Sequence, residues 1–394
     1  MIDLFRRYPT FFKFWIATIS SELAARMHSL IMIWLIYKWS NSAFMVGMIM
    51  IASSLPSVFI SPLSGTLIDR HNKVVILFSA DFIRMMTLLV FAYLSYTNQL
   101  NSMILLIGTI IISMASAFFN PASMSILPQL VKKEDITAAN ATGQISASLS
   151  SIIGPLFGST LIVLLGVVHA FLVAGLLFLI SVIFLVGIKD QSHKPENIEN
   201  TVLEDLKNGF KLVQKYEIVS KMLSKMAVVN FFFSSLVIVT PLLAKGDASY
   251  ISYFMSALGV GMLLSSLIFS SIKLTFQATH FLFFCLFVMG ISFIGLGFLE
   301  NLYFILLFMF IIGVVLNGFN IILISIYQKK LPQKSQGKIM ALVTAISISL
   351  QPISYGLMGI FIEWFDLRNV LYISGVFIIV SALGILNVKK LNQN

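Results

Sequence analysis

The chain has 394 residues, of which 58% are hydrophobic and only 11% charged, with a formal net charge of +10 and a mean hydropathy of +0.96. A soluble chain carries about 25% charged residues, and nothing soluble of this size hides so much apolar surface, so the composition excludes a soluble enzyme or binding module. The positive balance reads as topology-setting basic loops rather than a nucleic-acid surface.

Taken in order, apolar segments of spanning length lie at about 10–38, 43–68, 74–97, 101–122, 137–165, 167–188, 222–244, 249–272, 278–299, 302–327, 338–363 and 368–388. Twelve stretches of this length predict an all-α integral membrane protein rather than a barrel, whose strands are short and alternating. The basic start (Arg6, Arg7, Lys13) runs into a span too long for a signal-peptide core, so no cleavable leader is expected. With the N-terminus inside, the inner segments hold 21 Lys and Arg and the outer loops only Lys38, Lys245 and Arg368. Both termini are therefore expected in the cytoplasm. Cys285 stands alone in an apolar run and forms no internal disulfide.

Residues 189–221 are the one shift of composition, rich in Lys, Glu and Asp, with helical apolar spacing around Glu204–Val213. They are expected to link a first half (1–188) to a second half (222–394) through a short amphipathic surface helix. Leu127-Pro128-Gln129 and Leu331-Pro332-Gln333 echo each other, and each precedes a span with an internal proline, Pro155 or Pro352.

Between the second and third spans stands Gly65-x-Leu67-x-Asp69-Arg70-x-x-Lys73. It resembles the signature loop of the major facilitator superfamily, which usually has a glycine where this chain has Asn72. Gly154-Pro155-x-x-Gly158 in span five resembles the antiporter motif of exporters in that superfamily, with Ser159 in place of a closing glycine. Asn120-Pro121-Ala122, Ala138-Ala139-Asn140, Asn41-Ser42-Ala43 and the pair Asp81-x-x-Arg84 are similar to the macrolide-efflux and enterobactin-exporter-like branch. The agreement covers about residues 10–165. It thins in the second half to Gly259, Gly261 and Gly337. The branch carries Gly-Asp in the middle of span one, where this chain reads Ala24-Ala25-Arg26.

The resemblance implies two pseudo-symmetric six-helix halves that rock about a midplane site. It also implies a secondary active exporter of a drug-like molecule or secondary metabolite, with proton antiport as the expected coupling. A siderophore or anionic metabolite is the alternative cargo, and lysolipid flipping on the same fold a second alternative. Partners are then a small molecule, protons and membrane lipid, with no nucleic acid. The superfamily's default is a monomer in the cell membrane. No Gly-x4-Gly-Lys-Ser/Thr loop, metal-spaced cluster or Ser/His/Asp set stands out, so neither enzyme activity, a cofactor nor ATP drive is expected.

Ionisable groups inside spans mark pathways by default. Glu22 and Arg26 share a helix face four residues apart, with His28 nearby, and Glu22 is the acid best placed to carry a proton. Asp81 and Arg84 form a second pair on span three. Asp81 is expected to pack helices or support the signature loop, and a cavity-facing Arg84 would suit an anion. Asn317, Asn320 and Gln351 are polar candidates for the cavity, beside aromatics such as Trp15, Trp34, Phe231–Phe233, Tyr253 and Tyr355. Gly65, Asp69, Arg70 and Lys73 are expected to gate the inner side. Asp69→Asn should then lower transport while membrane insertion, followed by membrane-fraction yield, stays normal.

Overall fold

The computed structural model describes residues 2–190, 216–271, 278–298, 300–330, 343, 346 and 349–386. The expected amphipathic helix around Glu204–Val213 lies outside the described residues, as does Gly337. Among the described residues the chain is helical apart from turns. A short α1 (Ile2–Arg7) leads into α2 (Pro9–Ser40), α3 (Ala43–Arg70), α4 (Lys73–Tyr96), α5 (Ser102–Leu130), α6 (Ile136–Leu165) and α7 (Val167–Leu185). There follow α8 (Glu217–Leu243), α9 (Ala248–Ser271), α10 (Ala278–Phe298), α11 (Leu302–Lys330), α12 (Gln351–Phe365) and α13 (Leu367–Leu386).

Eleven of these helices are long and apolar enough to cross a membrane. The remaining candidate, α12, has 15 described residues. Gln351 opens it, with Pro352 in the first turn, where a missing N–H leaves no helix bond unmade.

The turns are short because their residues tolerate unusual backbone. The turn after α2 contains Asn41 at φ 48°, the one after α4 Asn98 at φ 57°, and the one after α6 Gly166 at φ 85°. Lys245 and Gly246 after α8, and Asp366 after α12, also have positive φ. Asn and Gly enter this left-handed region most readily. Two residues separate α3 from α4, the tight hairpin that the signature loop implied. Asn72, standing where the superfamily has glycine, is the N-cap of α4: its Oδ1 accepts from the backbone N–H of Val74 (2.9 Å) and Val75 (3.2 Å). Asp190 Oδ2 accepts from Lys73 N (2.8 Å), so the chain leaving α7 caps the same helix end.

The chain divides into two compact units. The first comprises Met1–Ser40, Ala52–Glu199 and Asp247–Ser252. There α2 packs along α6 and α7, and α4 along α5 and α7. The end of this unit that carries the N-terminus closes on Phe11, Phe14, Ile68, Leu77, Phe119, Ile126 and Leu185. Helix α1 joins this cluster through Leu4, and Arg7 Nη1 (3.1 Å) and Tyr8 Oη (2.8 Å) donate to Asp135 Oδ2. The Asp135 carboxylate holds the Arg7 guanidinium above its ordinary pKa.

The second unit comprises Asn41–Ile51, Asn200–Gly246 and Tyr253–Asn394. Here α10 packs on α11 and α13. A Cβ on Gly290 would stand 2.7 Å from Gly375 O, and one on Gly375 2.6 Å from Gly290 O, so α10 and α13 meet backbone to backbone. Glu363 of α12 caps the start of α3, accepting from Ser42 Oγ and from Phe44 N. Many large apolar side chains face outwards, among them Leu164, Ile183 and Leu267. Lipid tails, not water, suit such a surface.

Candidate functional site

Helix α2 carries Ser21, Glu22, Arg26 and His28, and it places them on two faces. Ser21 and His28 are seven residues apart and share one face. Glu22 and Arg26 share another.

The first face meets a fully buried charge centre. Asp81 is 0% and Arg84 3% exposed. Arg84 Nη1 donates to Asp81 Oδ1 (2.9 Å) and to Ser21 Oγ (3.2 Å). Ser21 Oγ donates to Asp81 Oδ1 (3.0 Å), and Ser181 Oγ of α7 donates to Asp81 Oδ2 (2.5 Å). One carboxylate therefore ties α2, α4 and α7 together. The Arg84 guanidinium lies 4.6 Å from the ring centre of Phe119 and 5.6 Å from that of Phe178, aromatic faces that suit a cation. Arg84 Nε and His28 Nε2 are buried without hydrogen-bond partners. Arg84 is thus engaged inside the helix bundle and does not face an open cavity. Asp81 bonds α4 to α2 and α7, and the side chains of Gly65, Asp69 and Arg70 in the signature loop lie outside the described residues.

The second face meets α6. Glu22 is half-buried and Arg26 exposed. No ion pair joins them among the described residues, and Glu22 Oε2 is buried without a hydrogen-bond partner. The reason for the Gly-Pro-x-x-Gly run is visible here. A Cβ on Gly154 would stand 2.5 Å from Arg26 Cβ and 3.3 Å from Leu23 O. One on Gly158 would stand 3.3 Å from Leu30 Cδ2 and 3.5 Å from Met27 Cα. The two glycines seat α2 on α6 at the turn that carries the charges, and α6 continues through Pro155 without a break. Ser159, where the motif has glycine, donates to Ser252 Oγ (2.8 Å) at the start of α9.

Gly154→Ala is expected to cost about 1–3 kcal/mol by overpacking, since Arg26 Cβ belongs to the stem of its side chain and yields little. Gly143→Ala is the control on the same helix, because a Cβ there meets nothing within 4 Å. Thermal unfolding and transport measured in parallel should show the first variant impaired and the second unchanged.

The other candidates disperse. Gly65, Asp69 and Arg70 lie in the last turns of α3, and their side chains fall outside the described residues. Lys73 is buried. Asn317 Nδ2 donates to Met262 O and Ser266 Oγ, both at 2.8 Å, so it bonds α11 to α9. Asn320 is half-buried. Trp15 Nε1 donates to Ser146 Oγ of α6 (2.7 Å), and Phe232 stacks on Phe377 at 4.7 Å. Trp34 lies beneath the Lys38 ammonium.

Sequence reasoning passed over Ser21, Ser146, Ser150 and Ser181. One signal was present: Thr142, Ser146, Ser150, Gly154 and Gly158 recur every four residues, a stripe of small side chains down one face of α6.

Three comparisons bear on this arrangement. Macrolide efflux protein A of Streptococcus pyogenes is 21% identical over 384 residues, covering 95% of this chain and 94% of that protein. The putative bacilysin exporter BacE of Bacillus subtilis is 27% identical over 169 residues, 42% of this chain and 41% of that one. The crystal structure of the nucleoside transporter NupG superposes with a TM-score of 0.78 at 14% identity, covering 97% of this chain and 99% of that chain, and shows the fold alone. The sequence profile described as transmembrane secretion effector matches residues 5–393. With eleven helices of spanning length among the described residues, a glycine-seated α6 and this match over nearly the whole chain, the protein belongs to the transmembrane secretion effector family of major facilitator transporters.

Proposed function

We propose that the chain is a proton-coupled antiporter that exports a small organic molecule across the cell membrane by alternating access, acting as a monomer with both termini inside. The efflux direction follows the family and its macrolide-efflux and exporter relatives. The observation that carries the coupling is Glu22: a membrane-embedded acid with a buried oxygen that has no hydrogen-bond partner. A bare charge in such a place is costly unless paired. Uptake of a proton discharges it, and release recharges it, which is what a coupling acid must do in each cycle. Lys and Arg counts across the loops support the orientation.

A drug-like molecule or secondary metabolite is the cargo class that the relatives' names support. Arg26 favours a second reading, an anionic metabolite or carboxylate siderophore. It is an exposed cation in the middle of α2 with no ion pair among the described residues. Proteoliposomes with an imposed pH gradient and a panel of a macrolide, a cationic dye and a carboxylate siderophore test both readings. Accumulation of one cargo that collapses with the gradient supports antiport and names the class. Cargo movement indifferent to the gradient overturns proton coupling.

A further inference from the structure

Two buried oxygens on facing helices of the first unit have no hydrogen-bond partner: Glu22 Oε2 on α2 and Ser150 Oγ on α6. Their register puts them together. The seam between α2 and α6 is pinned on the inner side by Trp15 Nε1 on Ser146 Oγ, and on the outer side by Leu23 and Arg26 against Gly154. The two helices run in the same direction between these contacts. Ser150 is midway, about 6 Å along the axis from Ser146 and from Gly154, and its direction bisects theirs. Around α2, Glu22 lies about 20° from Trp15 and about 40° from Arg26, both of which touch α6. Helical side chains lean toward the N-terminus, which lowers the Glu22 carboxyl toward the level of Ser150.

Ser150 also behaves unlike its neighbours on the stripe. Thr142 donates to Ala138 O (2.9 Å) and Ser146 to Thr142 O (3.0 Å), the usual refuge of a helical hydroxyl. Ser150 makes no such bond, although it is only 1% exposed. Its hydroxyl is left for something across the seam.

Few charges compete there. Among the described residues, α5 and α6 carry no titratable side chain, and α7 carries His169, which is exposed in its first turn. From α4, Asp81 and Arg84 engage Ser21, which lies on the other face of α2. On α2 itself Arg26 neighbours Glu22, and His28 lies on the Ser21 face.

We propose that the Ser150 hydroxyl and the Glu22 carboxyl form one proton site, bonded across the α2–α6 seam directly or through one bridging water. The proposal rests on Glu22 as the coupling acid. When Glu22 is charged, the Ser150 O–H donates to Oε2. When a proton joins Oε2, the Ser150 O–H turns away and its oxygen accepts from the carboxylic O–H. Only hydrogen bonds rearrange, and the proton leaves by the reverse step. Ser150 is a positioning residue, which sets how tightly Glu22 holds the proton.

The test needs no cargo. The full chain in lipid nanodiscs is titrated with pH while infrared difference spectra follow protonated carboxyl groups, and Glu22→Gln identifies the Glu22 band. Ser150→Ala should raise that band's C=O frequency and shift its proton affinity by about fivefold, the equivalent of one hydrogen bond. Ser150→Gly, which also lacks the hydroxyl, should match it. Ser151→Ala is the control, since Ser151 donates to Ser148 O (2.7 Å) and lies one residue round the helix. A Glu22 band that titrates identically in wild type, Ser150→Ala and Ser150→Gly overturns the role of Ser150 and leaves the coupling acid standing. A titration with no band lost in Glu22→Gln overturns both.

Discussion

Glu22→Gln should abolish gradient-driven accumulation while leaving cargo exchange intact. Gln keeps the size and the hydrogen-bonding ends of the side chain but never ionises, so the site is fixed in its discharged form. With the membrane potential clamped at zero, each proton exchanged across one pH unit supplies about 1.4 kcal/mol, and so concentrates cargo about tenfold. The variant loses that drive, and its accumulation ratio should fall to unity at any imposed pH gradient. Exchange of labelled for unlabelled cargo at equal pH needs no net proton movement and should persist. The two assays in the same proteoliposomes separate uncoupling from misfolding. An accumulation ratio unchanged by Glu22→Gln would remove the residue from the coupling role and pass that role to another acid.

The architecture was legible because lipid imposes a simple demand. Backbone groups in a bilayer must be satisfied within the segment, so spans become long apolar helices that any window detects. The turns owe their shortness to residues that the sequence reading did not use in this way: Asn41 and Asn98 enter the left-handed region and Asn72 caps a helix. The departure at Asn72 reads naturally once its bonds to Val74 and Val75 are seen.

The charge centres were legible only in part. Glu22 and His28 are near in sequence, yet six residues turn a helix through about 600°, which leaves them on different faces. Grouping them by proximity merged two environments: a seam against α6 and the buried Asp81 centre. The partners of that centre were hidden for another reason. Ser181 lies 100 residues from Asp81 and Ser21 lies 60 away, and a serine in an apolar span carries no mark of which helix it will meet. Departures from a motif were more telling than agreements. Ser159, in the place of a glycine, makes a buried bond to Ser252 that a glycine cannot make.

Replacing one member of the Asp81–Arg84 pair should be worse than replacing both. The pair sits 2.9 Å apart and is almost wholly buried. Breaking a buried pair by removing one partner costs about 3–5 kcal/mol, because the remaining charge is left in a low-dielectric interior. Asp81→Ala strands the Arg84 guanidinium, with only Ser21 Oγ and two aromatic faces to hold it. Arg84→Ala strands the Asp81 carboxylate, which keeps the Ser21 and Ser181 hydroxyls, so this variant should suffer less. The double variant Asp81→Ala/Arg84→Ala leaves a cavity but no stranded charge, and should unfold at a higher temperature than Asp81→Ala alone. Thermal unfolding in detergent of wild type, the two single variants and the double variant closes the cycle. Strictly additive losses would mean that the two groups do not support each other. Less-than-additive losses, with Asp81→Ala the lowest of the four, are what a charge centre binding α2, α4 and α7 requires. Ser181→Ala probes the same centre from α7. It removes the donor to Oδ2 while the Arg84 bond to Oδ1 persists, so its loss should be the smaller cost of one hydrogen bond to a charged group, about 1.5–3 kcal/mol.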